Sequence, residues 1–223
     1  MTERLSETPR SANNWRKFGL QAVFGAAFGA GSMIALMELT FVPEAPLWEP
    51  SHVVLAGVGL IYVLMGLLVG VGTLAPGSIG QRMLNVSDVE ELEEGRSMFL
   101  YSSMGCLTLG ISLALFAFAG SGDPRSPVAP DTAFWIFLAA SAFLGVLSAI
   151  MWRGFDELWR QLTMDAYALT GQFLIVVLSL WGGATAGGLV GGPQPLDLLS
   201  LTFGGLLLAC FVAVGRRGMA TPN

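Results

Sequence analysis

Six stretches of 19 to 22 residues contain no lysine or arginine, and this feature strongly limits what the chain can fold into. A helix needs roughly 20 consecutive apolar residues to cross about 30 Å of hydrocarbon. A buried helix of a soluble domain would rarely run that far without a basic residue. The six windows are residues 18–37, 53–74, 98–119, 133–151, 166–186 and 196–214.

The composition agrees with membrane burial. Of 223 residues, 53% are hydrophobic and only 12% are charged, whereas a soluble domain carries about 25% charged residues. Such a chain has too little polar surface for water, but its apolar surface is suited to lipid. We therefore predict an all-α, polytopic transmembrane bundle of six spans over residues 18–214. Residues 1–17 and 215–223 form the tails.

The basic residues predict the orientation of these spans. In a six-span arrangement, ten of the eleven lysines and arginines fall on one face of the membrane, and only Arg125 falls on the other. Short loops rich in Lys and Arg remain in the cytoplasm. Both termini are therefore expected in the cytoplasm, and the expected location is the plasma membrane, specifically a bacterial inner membrane.

A weak internal repeat appears at an offset of 66 residues. Each copy consists of a polar leader followed by two spans, which predicts three consecutive helical hairpins, the first too diverged to align. Copies that enter the membrane from the same side would form a parallel repeat. The identities pair Glu91-Leu92 with Glu157-Leu158, and Met98, Tyr101 and Gly105 with Met164, Tyr167 and Gly171.

Asp165 and Gln172 form the candidate polar site. They are seven residues apart in the predicted fifth span, so they share one helix face, with Gln172 about 10 Å deeper in the membrane. Polar groups at such depth normally face the bundle interior. One interpretation is a small polar pocket open to the cytoplasm. The other is an interfacial carboxylate plus an interhelical hydrogen bond, and in both we expect Gln172 to point inward and bond a neighbouring span.

Two G-x-x-x-G patterns are candidate helix-packing sites. Gly25 and Gly29 lie in the first span, and Gly66 and Gly70 lie in the second. Glycines four residues apart make a flat face that lets another helix backbone approach closely. The pattern predicts packing between spans of this chain or, alternatively, a contact between copies of the chain.

An acidic leader precedes the third span. It contains Glu90, Glu91, Glu93 and Glu94, and Ser87 with Glu90 forms a capping-box pattern. A short amphipathic helix is therefore expected there. Its acidic face is interpreted as a solvated surface or, alternatively, as a cytoplasmic docking face for a basic partner.

The sequence contains no motif that predicts a catalytic residue, a cofactor site or a metal site. His52 is the single histidine, both cysteines lie within apolar windows, and no basic stripe with interleaved aromatic residues predicts nucleic-acid binding. The leading hypothesis is a non-enzymatic accessory protein whose partners are the lipid bilayer, copies of itself or other membrane proteins. A small transporter or channel subunit is the alternative, and an intramembrane enzyme is the third possibility.

The basic-residue pattern generates a topology prediction. Cysteines introduced as Ser126→Cys and Gly191→Cys should react with an impermeant thiol reagent only from outside the cell. Cysteines introduced at Glu90 and Ala220 should react only from inside, because the six-span arrangement places them in the cytoplasm. Labelling of position 90 from outside would contradict the six-span topology.

Overall fold

The computed structural model describes residue 38 and residues 48–75, 95–122 and 126–217. Within these ranges the chain is all-helical, and its five helices are each long and apolar enough to cross a membrane. These features are consistent with a multi-pass integral membrane protein. The predicted first span lies outside the described ranges. In chain order the helices are α1 (Pro50–Leu74), α2 (Arg96–Gly120), α3 (Pro130–Gly154), α4 (Glu157–Ala186) and α5 (Pro195–Arg216).

Proline opens three of the five helices. Pro50, Pro130 and Pro195 are the first residues of α1, α3 and α5. The ring fixes the backbone angle that a helix requires, and the missing N–H is one that a first turn leaves unpaired anyway. The helices therefore begin within three residues of the predicted windows, with α4 as the exception.

Helix α4 begins at Glu157, nine residues before the predicted window at residue 166. The Asp156 carboxylate caps it by accepting a hydrogen bond from the Trp159 backbone N–H at 2.9 Å. Glu157 adds a negative charge to the first turn, where the helix dipole favours it. The apolar window thus marked only the membrane part of α4, and the preceding polar residues are also helical.

Helices α1 and α2 run antiparallel, with their backbones in direct contact. A Cβ atom placed on Gly59 would lie 2.8 Å from the Gly110 carbonyl oxygen, and one on Gly66 would lie 2.9 Å from the Leu107 nitrogen. The Ser103 hydroxyl donates a hydrogen bond of 2.7 Å to the Gly66 carbonyl oxygen. Only glycine permits an approach this close.

Small buried residues recur every seven positions along this interface. A seven-residue repeat stays on one face when two helices coil around each other with a left-handed twist. The close contact therefore extends along both helices rather than at one crossing point. The repeats are Gly59, Gly66 and Thr73 in α1, and Ser103, Gly110 and Ala117 in α2.

Helix α3 packs antiparallel on the outer side of α2. Gly105 faces the side chains of Leu144 and Leu147, and the Phe116 and Phe137 rings stack with centroids 5.6 Å apart. Helix α3 is thus positioned by its contacts with α2 and not by contacts with α4, the next helix in the chain.

Helix α5 packs parallel to α1, and its Phe203 ring also meets Phe137 of α3 edge to face. The Tyr62 hydroxyl donates a hydrogen bond of 2.9 Å to the Phe203 carbonyl oxygen. Helix α4 then packs antiparallel on α5, where Leu162, Ala166 and Ala213 form a small buried cluster. All buried residues of α4 lie within its first half, so α4 is an edge helix.

These directions give the bundle two distinct ends, named here the His52 end and the Arg217 end. Helices α1, α3 and α5 begin at the His52 end, whereas α2 and α4 begin at the Arg217 end. Every lysine or arginine in the described ranges lies at the Arg217 end. They are Arg96, Arg153, Arg160, Arg216 and Arg217.

The structure does not confirm the internal repeat. Both copies contain an antiparallel hairpin, α2 with α3 and α4 with α5, but the surroundings of equivalent residues differ. Gly105 packs against α3, whereas a Cβ atom on Gly171 would meet nothing within 4 Å. The first helix of one copy is therefore central in the bundle and that of the other lies at its edge.

The α1–α2 contact predicts a large difference between two Gly→Ala substitutions. In Gly110→Ala the new methyl would lie 2.6 Å from both the Gly59 oxygen and the Val63 nitrogen, so we expect a loss of about 1–3 kcal/mol in unfolding free energy. The control Gly171→Ala meets open space and should be neutral or stabilising by up to about 1 kcal/mol. SDS titration from mixed micelles, followed by circular dichroism, would measure both. Equal stability of the two variants would contradict the contact.

Candidate functional site

Asp165 and Gln172 line the same groove between α4 and α5, near the Arg217 end of the bundle. The groove has a volume of about 420 Å³. Both candidate polar residues of the sequence analysis therefore belong to one groove wall. The other lining residues are Ala168 and Leu169 of α4 and Ala213 and Arg216 of α5.

Residue size and helical spacing create this groove. Asp165, Ala168 and Gln172 follow one another at intervals of three and four along α4, so they form a single stripe. Ala213 and Arg216 are three residues apart on α5 and face that stripe. Because Ala168 and Ala213 end at Cβ, the helices leave space between the polar groups instead of filling it.

Asp165, which lines the groove, forms an ion pair with Arg217. The Arg217 guanidinium reaches Asp165 Oδ2 through Nη2 at 2.5 Å and through Nε at 3.2 Å. Its Nη1 also donates to Gln161 Oε1 at 3.4 Å. The two side chains are 26% and 52% exposed, so water weakens the attraction. The pair nevertheless balances the Asp165 charge.

Arg216 lines the same groove but forms no ion pair or hydrogen bond with any residue of the described ranges. The groove therefore contains one paired carboxylate and one guanidinium that has no partner among the described residues. Guanidinium groups bind planar or tetrahedral oxyanions through two parallel hydrogen bonds.

Gln172 differs from the expectation. Its side chain is exposed, and it makes no hydrogen bond to a residue that the structure describes. The face of α4 that contacts α5 consists instead of Leu162, Ala166 and Thr170, which are buried. This packing rotates Gln172 into the groove, so the expected interhelical bond does not form within the described part of the chain.

The helix-packing glycines of the predicted second span lie against α2. Gly66 contacts the α2 backbone, and a Cβ atom on Gly70 would lie 2.7 Å from Ser103 Oγ. The packing site therefore lies between two spans of the chain. The other predicted positions, Gly25 and Gly29, lie outside the described residues, as do Glu90, Glu91, Glu93 and Glu94.

A second cavity, at the His52 end, did not emerge from the sequence. It has a volume of about 310 Å³, and His52, Gly120 and Gln194 contribute to its wall. The His52 Nδ1 atom is buried without a hydrogen-bond partner among the described residues. Nearby, the Ser51 hydroxyl donates to Gln194 Oε1 at 2.8 Å and joins α1 to the start of α5. The sequence carries no local signal that these residues meet, because they come together only through the packing of α5 on α1.

Metal-ligand side chains do not converge in the described ranges, where no group of three or more His, Cys, Asp or Glu residues could hold a metal ion. Cys106 and Cys210 are free thiols. The groove between α4 and α5 and the His52 cavity are two places in the described ranges where polar groups line a cavity.

The ion pair predicts a small, salt-sensitive coupling. In a double-mutant cycle of Asp165→Asn and Arg217→Gln, we expect a coupling of about 0.2–1 kcal/mol in unfolding free energy. The coupling should fall as salt is added, because the pair is exposed to solvent. Unfolding in nonionic detergent at two salt concentrations would measure it. A matched cycle that combines Asp165→Asn with Arg216→Gln should show a weaker coupling energy. A larger coupling energy for Arg216 than for Arg217 would contradict the Asp165–Arg217 ion pair.

No protein family, curated protein or solved structure matches this chain.

Proposed function

We propose that this protein is a non-enzymatic accessory membrane protein that acts by associating with copies of itself or with other membrane proteins. The observation that carries the proposal is a stripe of small exposed residues on α3. Ser141, Gly145 and Ala149 follow one another at intervals of four residues and share one face. Such faces support association of helices in lipid because they allow close contact between backbones.

The stripe is flat and uncovered by the described part of the chain. A Cβ atom on Gly145 would meet nothing within 4 Å. The Ser141 hydroxyl donates to the Phe137 carbonyl oxygen of its own helix at 2.8 Å, so its polar group is already satisfied. A neighbouring helix could therefore pack here through van der Waals contact without leaving a polar atom unpaired.

The position of α3 leaves this face available. Leu144 and Leu147 on the opposite side pack against Gly105 of α2. In the most apolar part of α3, 11% of the residues are buried within the chain. The corresponding part of α2 has 39% of its residues buried. The low burial leaves the surface of α3 available for association, as it does that of α4, where 6% is buried.

The finer topology is part of the same proposal. We infer six spans, both termini in the cytoplasm and location in a bacterial inner membrane, with three hairpins related by a parallel repeat. The grouping of all described arginines at the Arg217 end supports this orientation. The α2–α3 and α4–α5 hairpins both start from that end, as a parallel repeat would require.

A small transporter or channel subunit is the second candidate function. The groove that contains Asp165, Gln172 and Arg216 favours it, because polar groups at membrane depth often mark a substrate path. Gln172→Leu distinguishes the two functions. Transport would be lost while folding is retained if the groove is a substrate path, and association would be unaffected.

Blocking the α3 stripe should reduce association. Gly145→Leu adds a large side chain at a position with open space in the monomer, so folding should be retained. We expect self-association in liposomes, measured by energy transfer between labelled copies, to weaken roughly ten-fold, which corresponds to about 1.4 kcal/mol.

The matched control is Ile150→Phe, which enlarges an exposed side chain on a different face of α3 from the stripe. This variant should associate as the unmodified protein does. Equal association of Gly145→Leu and the unmodified protein would exclude the stripe as the contact between copies. If another membrane protein then binds the unmodified chain but not Gly145→Leu, the stripe is the contact with that protein and not with a second copy.

A further inference from the structure

We propose that the groove between α4 and α5 binds the headgroup region of one anionic phospholipid, with the phosphate on Arg216. This inference goes beyond association through α3 and does not depend on it. The groove would recognise a phosphate oxyanion that is attached to a hydrogen-bond acceptor lying deeper in the membrane.

The charges at the groove favour an anion. Asp165 is held by Arg217 through two hydrogen bonds, so its charge is balanced within the protein. Arg216 has no partner among the described residues and leaves the lining with one unpaired positive charge. Basic pockets between spans near a membrane surface bind anionic lipid headgroups.

Gln172 supplies the feature that distinguishes a lipid from a free anion. It lies seven residues along α4 from Asp165, which places it about 10 Å farther from the Arg217 end. Its exposed amide has two N–H donors and no described partner, an arrangement that is costly in hydrocarbon. The ester carbonyls of a phospholipid lie deeper than its phosphate and would accept these hydrogen bonds.

The walls of the groove also suit an amphipathic ligand. Ala168, Leu169 and Ala213 separate the Arg216 end from Gln172, so a molecule that spans both polar groups must cross an apolar section. A glycerol backbone with its first methylenes has this character. Inorganic phosphate would reach Arg216 alone and leave the Gln172 amide without an acceptor.

Native mass spectrometry of the full chain in nonionic detergent tests the proposal. The probes are short-chain phosphatidylglycerol, phosphatidylcholine with the same acyl chains, and inorganic phosphate. We expect one tight phosphatidylglycerol site, at least about ten-fold stronger than phosphatidylcholine, because only the first lipid carries net negative charge. Arg216→Gln should weaken phosphatidylglycerol binding roughly ten-fold and reduce the preference between the lipids. Gln172→Leu should weaken both lipids a few-fold and leave the preference unchanged.

The matched control is Arg153→Gln, which removes an arginine from the same end of the bundle on α3, away from the groove. Its lipid binding should be unchanged, and an equal loss in this variant would overturn the proposal in favour of general charge attraction. Arg216→Lys keeps the charge and guards against misfolding, and it should retain part of the preference. Tight binding of inorganic phosphate that displaces the lipid, or equal binding of both lipids, would also overturn the proposal.

Discussion

The contact between the backbones of α1 and α2 is the constraint on which the rest of the bundle depends. Lipid chains are as apolar as the helix surfaces, so burial of apolar area alone gives spans little reason to associate. Gly59 and Gly110 instead allow close van der Waals contact, and Ser103 adds a hydrogen bond to Gly66. This pair forms the centre of the bundle, with α3 packed on α2 and α5 packed on α1.

The outer helices use different interactions because they lack glycine contacts of this closeness. Phe116 stacks on Phe137 between α2 and α3, and Phe137 meets Phe203 of α5 edge to face at 6.4 Å. Aromatic rings fill wider gaps than glycine faces do, and they prefer such offset and edge arrangements. The groove between α4 and α5 and the His52 cavity both lie outside the close α1–α2 contact.

The sequence predicted the existence of the five described spans because lipid imposes a length and a polarity on every one of them. It did not predict the start of α4. The first turns of this helix are polar, and hydropathy detects only the apolar part of a helix. It singled out Gly66, which lies against α2, but not Gly59 and Gly110, whose signal was a seven-residue repeat rather than a G-x-x-x-G pair. The environment of Gln172 was also missed, since the rotation of α4 is set by how Leu162 and Ala166 pack on α5.

The edge position of α4 gives the bundle an uneven resistance to force. After Thr170 none of its residues is buried within the chain, and Ile175 and Leu180 are each 69% exposed. A load that pulls the chain from its C-terminal end would therefore separate α4 and α5 before it reached the glycine contact of α1 and α2. Resistance to unfolding under force therefore differs across the bundle: it is highest at the α1–α2 pair and lowest at α4.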